Sequence, residues 1–128
     1  MKVLVIGGTK FVGRHLVGCL LERGHDVTLF NRGQTNPGLF ARAEHIKGDR
    51  ENDLHLLKDR AWDVAVDTCG YFPRVVDASA ALLADSVGRY VFISSVSAYR
   101  DFRSEGRRED DPLAELDDPD VEEITGDT

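Results

Sequence analysis

The residues with the clearest chemical use lie at the very start of the chain. In VLVIGGTKFVG, residues 3–13, an apolar run meets Gly7 and Gly8, and Gly13 follows five residues after Gly8. Glycine permits backbone angles that other residues avoid and lets the chain approach a phosphate closely. A helix starting here presents free N–H groups and the positive end of its dipole to the same phosphate. Gly7 and Gly8 form the turn, and Thr9 either caps the helix or contacts phosphate. Gly13 lies inside the helix, where a missing side chain lets helix and strand pack together. Lys10 stands between them and directs its charge at phosphate or out to solvent. The competing reading is a glycine corner chosen only for close packing. The position at the end of the first strand of a βαβ pattern favours a dinucleotide site.

The elements that must position this turn follow from hydrophobic periodicity. Strands are expected at KVLVIG, HDVTLFN, EHIKGD, WDVAVDTC and RYVFISS, and helices at FVGRHLVGCLLERG, ENDLHLLKDR and PRVVDASAALLADSVG. In the first helix Val12, Leu16, Cys19 and Leu20 recur at helical spacing and are expected to face the core. Gly24 is a natural stop, with Arg23 in the last turn, and Pro73 opens the last helix. Strands alternating with helices imply an α/β fold of the Rossmann type, a doubly wound parallel sheet. About five strands in the order 3-2-1-4-5 are expected, with any ligand at their carboxyl ends. Residues 1–99 make up this domain.

The net charge of −7 is unevenly spread. Residues 105–128 hold eleven acidic and two basic side chains, a balance of −9, whereas residues 1–104 balance at +2. A neutral body with an acidic end gives no basic stripe for nucleic acid, so RNA is the less favoured partner. Residues 100–128 read as an acidic loop or disordered segment. No apolar run is long enough to span a membrane, and the N-terminal run is too short for a secretory signal. Cys19 and Cys69 lie far apart without CxxC spacing, so neither a disulfide framework nor a metal site is expected and a reducing, cytoplasmic setting is. No histidine is placed in sequence to make Cys69 a nucleophile.

The run VLVIGGTKFVGRHLVGCLLERGHDVTLFNRG, with KGDR, DVAVDTCGY and RYVFISSVSAY, resembles the extended short-chain dehydrogenase/reductase superfamily. More narrowly it is similar to the atypical branch of NAD-dependent epimerase/dehydratase-like proteins, a branch that also includes chloroplast stem-loop RNA binders. The resemblance implies NAD(P) binding and hydride transfer on a sugar-like or small carbonyl substrate, such as a nucleotide-sugar-like molecule. In the family pattern G-x-x-G-x-x-G, Gly7 and Gly13 match and Lys10 departs. The segment from Gly7 through Thr9, Lys10, Phe11 and Val12 to Gly13 is then expected on the pyrophosphate.

The same resemblance places Asn31 where NAD-preferring members carry an acidic residue for the adenosine ribose. With no carboxylate there and Arg32 next to it, NADP is expected over NAD. Asp49, followed by Arg50, falls at the adenine. Thr68, Cys69 and Gly70 fall beside the central ribose. Ser95, preceded by Ser94, matches the catalytic serine that holds the substrate.

The family's Tyr-x-x-x-Lys pair is absent, since the lysines are Lys2, Lys10, Lys47 and Lys58. Arg103 lies four residues after Tyr99 but is a poor substitute for lysine. The chain is therefore expected to be the N-terminal part of a longer protein, inactive alone. The alternatives are an RNA-binding protein like the stem-loop binders and a cofactor-sensing module without catalysis.

Overall fold

The computed structural model describes residues 1–101, 103 and 105–122. It divides into two compact units, Met1–Ile93 and Ser94–Thr128.

The first unit is built on a parallel sheet of five strands: β1 (Lys2–Ile6), β2 (Asp26–Asn31), β3 (Glu44–Lys47), β4 (Trp62–Asp67) and β5 (Val87–Phe92). Their order is β3-β2-β1-β4-β5, and every pairing is parallel. β1 lies at the centre, and Val3–Ile6 is buried throughout. Alternation of side chains across the sheet divides the core in two. Leu4, Ile6, Phe30, Ala65 and Trp62 pack with Leu57 and Leu83 on one face. Val3, Val5, Val27, Leu29 and Val66 pack with Val17 on the other.

Helix α1 (Phe11–Glu22) covers the valine face. Its inward stripe is Gly13, Leu16, Val17, Leu20 and Leu21. Val12 and Cys19, expected in that stripe, are exposed. Gly13 can sit against Gly8 only because it lacks a side chain. The helix ends in a Schellman motif. His25 N–H donates to Leu20 O, Gly24 N–H donates to Leu21 O, and Gly24 takes φ +76°. Arg23 is the cap residue and lies outside the last turn.

Helix α2 (Pro73–Leu83) begins at Pro73 as expected and stops five residues short of Gly88. The helix expected over 51–60 is only a 3-10 turn, Leu54–Leu57. Carboxylates divert its backbone: Asp49 N–H donates to Asp53 Oδ2 and Glu51 N–H to Asp49 Oδ1. Such local bonds compete with helix formation. Asp59, at φ +61°, closes the turn. No helix among the described residues is long and apolar enough to cross a membrane.

In the second unit Tyr99 pairs with Leu113 as an antiparallel bridge, and Ala114 N–H donates to Ala98 O at 2.8 Å.

Candidate functional site

Parallel strands leave their carboxyl ends on one edge of the sheet, and here those ends frame an open cleft of about 380 Å³. Gly7, Gly8, Thr9 and Lys10 form its floor, and Asn31, Arg32 and Gly33 one wall. Asp49 and Arg50 contribute from the end of β3, and Thr68 and Cys69 from the end of β4. Four segments distant in sequence thus meet at the β1–α1 turn.

The turn has the geometry its glycines allow. Gly7 and Gly8 take φ +96° and +90°. A side chain on Gly7 would meet Thr68 Oγ1, and one on Gly13 would meet the Gly8 Cα at 2.8 Å. Thr9 does not cap the helix. The extended Lys10 is the N-cap residue, and no side chain caps the first N–H groups. The two glycines carry the chain one residue further before it winds into α1. The first turn holds no acidic residue either, so the positive helix end stays available to an anion. Phe11 follows with φ +38° and is 83% exposed. A left-handed aromatic residue costs on the order of 1–3 kcal/mol, and that strain sits at the lip of the turn.

Three side chains hold the turn in place. Thr68 donates its hydroxyl to Ile6 O at 2.8 Å and accepts from Gly8 N–H at 3.3 Å. Asn31 donates from Nδ2 to Gly7 O at 2.8 Å. From the loop after β2, Asn36 reaches Thr9 O at 3.0 Å.

Beneath the cleft lies a polar cluster that the sequence reading did not anticipate. Asp67, the last residue of β4, is wholly buried. Arg50 reaches it with both terminal nitrogens at 2.9 and 2.8 Å, and Tyr90 donates its hydroxyl at 2.7 Å. Arg50 also donates to Ser79 Oγ at 2.8 Å. Burial alone would lower the Arg50 pKa, but the Asp67 carboxylate outweighs it and holds the guanidinium above its ordinary range. Burial and the hydrogen bond to Asp67 push the Tyr90 phenol up. Burial likewise raises the Cys69 thiol, and the Arg50 charge offsets only part of that rise. Cys69 is therefore a neutral thiol lining the cleft at neutral pH, not a prepared nucleophile. The signal for the cluster was Asp67 itself, a charge that follows the apolar run Val64–Val66 at the carboxyl end of its strand.

The other expected site residues divide clearly. Lys10 and Arg32 are exposed on the cleft, and Asp49 lines it through an Asx turn. Arg50 lines it too, although its guanidinium is committed to Asp67 and Ser79. Val12 is exposed, and Gly70 is packed against Val76 and Phe92. Ser94 and Ser95 belong to the second unit, where Ser95 Oγ accepts from Ser97 N–H at 3.2 Å. Tyr71 and Phe72 also line the cleft and had no signal in the sequence beyond their place after β4.

Comparison with known proteins agrees with this architecture. Residues 3–68 match the NAD dependent epimerase/dehydratase family. The chain is 31% identical over 115 residues to the chloroplast stem-loop binding protein of 41 kDa b from Arabidopsis thaliana, covering 77% of this chain and 30% of that protein. It is 28% identical over 130 residues to a UDP-glucose 4-epimerase from Klebsiella pneumoniae, covering 79% of this chain and 94% of that sequence. A UDP-glucose-4-epimerase from Stenotrophomonas maltophila, solved with bound NAD and formylated UDP-arabinopyranose, shares the fold at a TM-score of 0.75 and 17% identity. That alignment covers 91% of this chain and 43% of the other. The chain thus spans less than half of that solved epimerase and under a third of the Arabidopsis protein. On the match over residues 3–68, the chain belongs to the NAD dependent epimerase/dehydratase family.

Proposed function

We propose that this chain is the dinucleotide-binding part of an NAD(P)-dependent epimerase, dehydratase or reductase acting on a nucleotide-sugar-like or small carbonyl substrate. The observation that carries the reading is the uncapped N-terminus of α1 behind Gly7 and Gly8, open to a cleft lined by the ends of β1–β4. The pyrophosphate lies on Gly7–Gly13, with Lys10 as a nearby charge. Asp49 faces the adenine, and Thr68 and Cys69 face the central ribose. Ser95 holds the substrate in the complete protein.

Arg32 favours NADP, because a guanidinium pairs with a 2′-phosphate and no carboxylate stands beside it to repel one. The solved epimerase with the same fold holds NAD, so the two cofactors must be compared directly. With no Tyr-x-x-x-Lys in these 128 residues, the chain alone binds cofactor without turnover. Two unpaired cysteines fit a cytoplasmic setting.

Calorimetric titration with NADPH and NADH tests the reading. NADPH should bind more tightly, and Arg32→Ala should weaken NADPH about tenfold while leaving NADH unchanged. Tighter NADH binding would remove Arg32 from the account, and no binding of either would remove the reading itself.

The similarity to the Arabidopsis protein favours a second reading, RNA binding. A shift of labelled stem-loop RNA that weakens with added salt would support it. No shift at low salt would dismiss it.

A further inference from the structure

Asn31 ends β2 at the place where a ribose contact is expected, yet its carboxamide is turned into the protein. Nδ2 donates to Gly7 O at 2.8 Å. Oδ1 accepts from Gly33 N–H at 2.9 Å and from His45 Nε2 at 2.6 Å. The orientation of the amide is fixed by its backbone partners. A backbone carbonyl can only accept and a backbone N–H can only donate, so a flipped amide would oppose like groups at both contacts. It follows that His45 is the donor, with its proton on Nε2.

Both lone-pair directions of Oδ1 are thus occupied, and a single Nδ2 proton is left. Asn31 has no acceptor to offer a ribose hydroxyl. What it does instead is join three segments: the floor of the cleft at Gly7, the wall at Gly33, and β3 at His45. Gly33 takes φ +68°, a conformation held by this bond, and its Cα side lies against Lys47 and His45.

We propose that Asn31, held by His45, is a positioning residue that sets the glycine turn, and accepts no hydrogen bond from the ribose. The proposal rests on the dinucleotide reading of the cleft. It separates Asn31 from Arg32: Arg32 sets which cofactor is preferred, and Asn31 sets how tightly either is held.

The test is calorimetry with NADH and NADPH on the wild-type chain and on Asn31→Ala, His45→Ala and His45→Gln. Asn31→Ala should weaken both cofactors about tenfold, the change equivalent to about 1.4 kcal/mol, and leave the ratio of the two Kd values unchanged. His45 does not line the cleft, yet His45→Ala should weaken both about threefold. His45→Gln should restore them, because its amide can still donate to Oδ1. A change in the NADH to NADPH ratio on Asn31→Ala would show a direct ribose contact and overturn the proposal. No effect of His45→Ala would also overturn it, and this variant carries the test if Asn31→Ala does not fold. A wild-type chain that binds neither cofactor would overturn the dinucleotide reading itself, a result distinct from either of these.

Discussion

Replacing Arg50 with methionine removes the guanidinium and keeps much of the aliphatic volume. Asp67 is then left wholly buried, with Tyr90 Oη at 2.7 Å and Cys69 N–H at 3.2 Å as its remaining donors. Breaking a buried ion pair from one side costs about 3–5 kcal/mol, because the surviving charge is uncompensated. Two surviving donors place the expectation near the lower end, about 3 kcal/mol. The intact pair contributes less than this figure, since Arg50 Nε is itself buried without a hydrogen-bond partner. Small domains are stable by only about 5–15 kcal/mol, so the loss is large. Urea unfolding read by the emission of Trp62, the single tryptophan, measures it directly. Adding Asp67→Asn to the methionine variant should recover at least half of the loss, because a neutral side chain no longer needs the guanidinium. A loss below about 1 kcal/mol, the value of an exposed pair, would refute the argument. Failure of the second substitution to recover stability would refute it equally.

Other outcomes follow from the same geometry. Gly13→Ala puts a methyl 2.8 Å from Gly8 Cα, so the glycine turn must shift, and cofactor affinity should fall at least about tenfold. Unchanged affinity in a titration would mean that the turn is not the site. Cys69, raised by burial, should be alkylated more slowly than the exposed Cys19 at pH 8, and more slowly again with NADPH present. Equal rates, read by mass spectrometry of the labelled peptides, would contradict this. The hydrogen bond from Arg60 holds the Glu44 carboxyl below its ordinary value. A depressed carboxyl stabilises fully above its unfolded pKa and loses that contribution as pH falls through the lowered value. Both partners are more than a third exposed, so Glu44→Gln should cost less than about 1 kcal/mol at pH 7 in urea unfolding. A cost above about 2 kcal/mol would show a stronger coupling than the exposure allows.

The central strands were legible because β1, β2 and β4 carry short apolar runs bounded by glycine or charge, and a parallel sheet buries such runs on both faces. The glycine turn was legible for a related reason: φ near +90° at two successive positions requires that residue type. What escaped were features decided by contacts distant in sequence. The helix expected over 51–60 yielded to Asp49 and Asp53, whose carboxylates bind the backbone that a helix would need. Arg50 was expected beside Asp49 at the adenine because its partners Asp67 and Ser79, and Tyr90 on the same carboxylate, are spread over forty positions and meet only when β3, β4, β5 and α2 are assembled. Asn31 was placed correctly at the cleft, but no one-dimensional signal tells whether a carboxamide faces outward or toward Gly7, Gly33 and His45.

Amide NMR shifts of the chain during titration with NADPH test whether a dinucleotide lies on the β1–α1 turn. The largest changes should fall on Gly7–Gly13, on Arg32–Thr35, and on Asp49 and Thr68. Changes absent from these amides at saturating cofactor, or confined to the opposite edge of the sheet near Lys2, Glu44 and Arg60, would contradict the account.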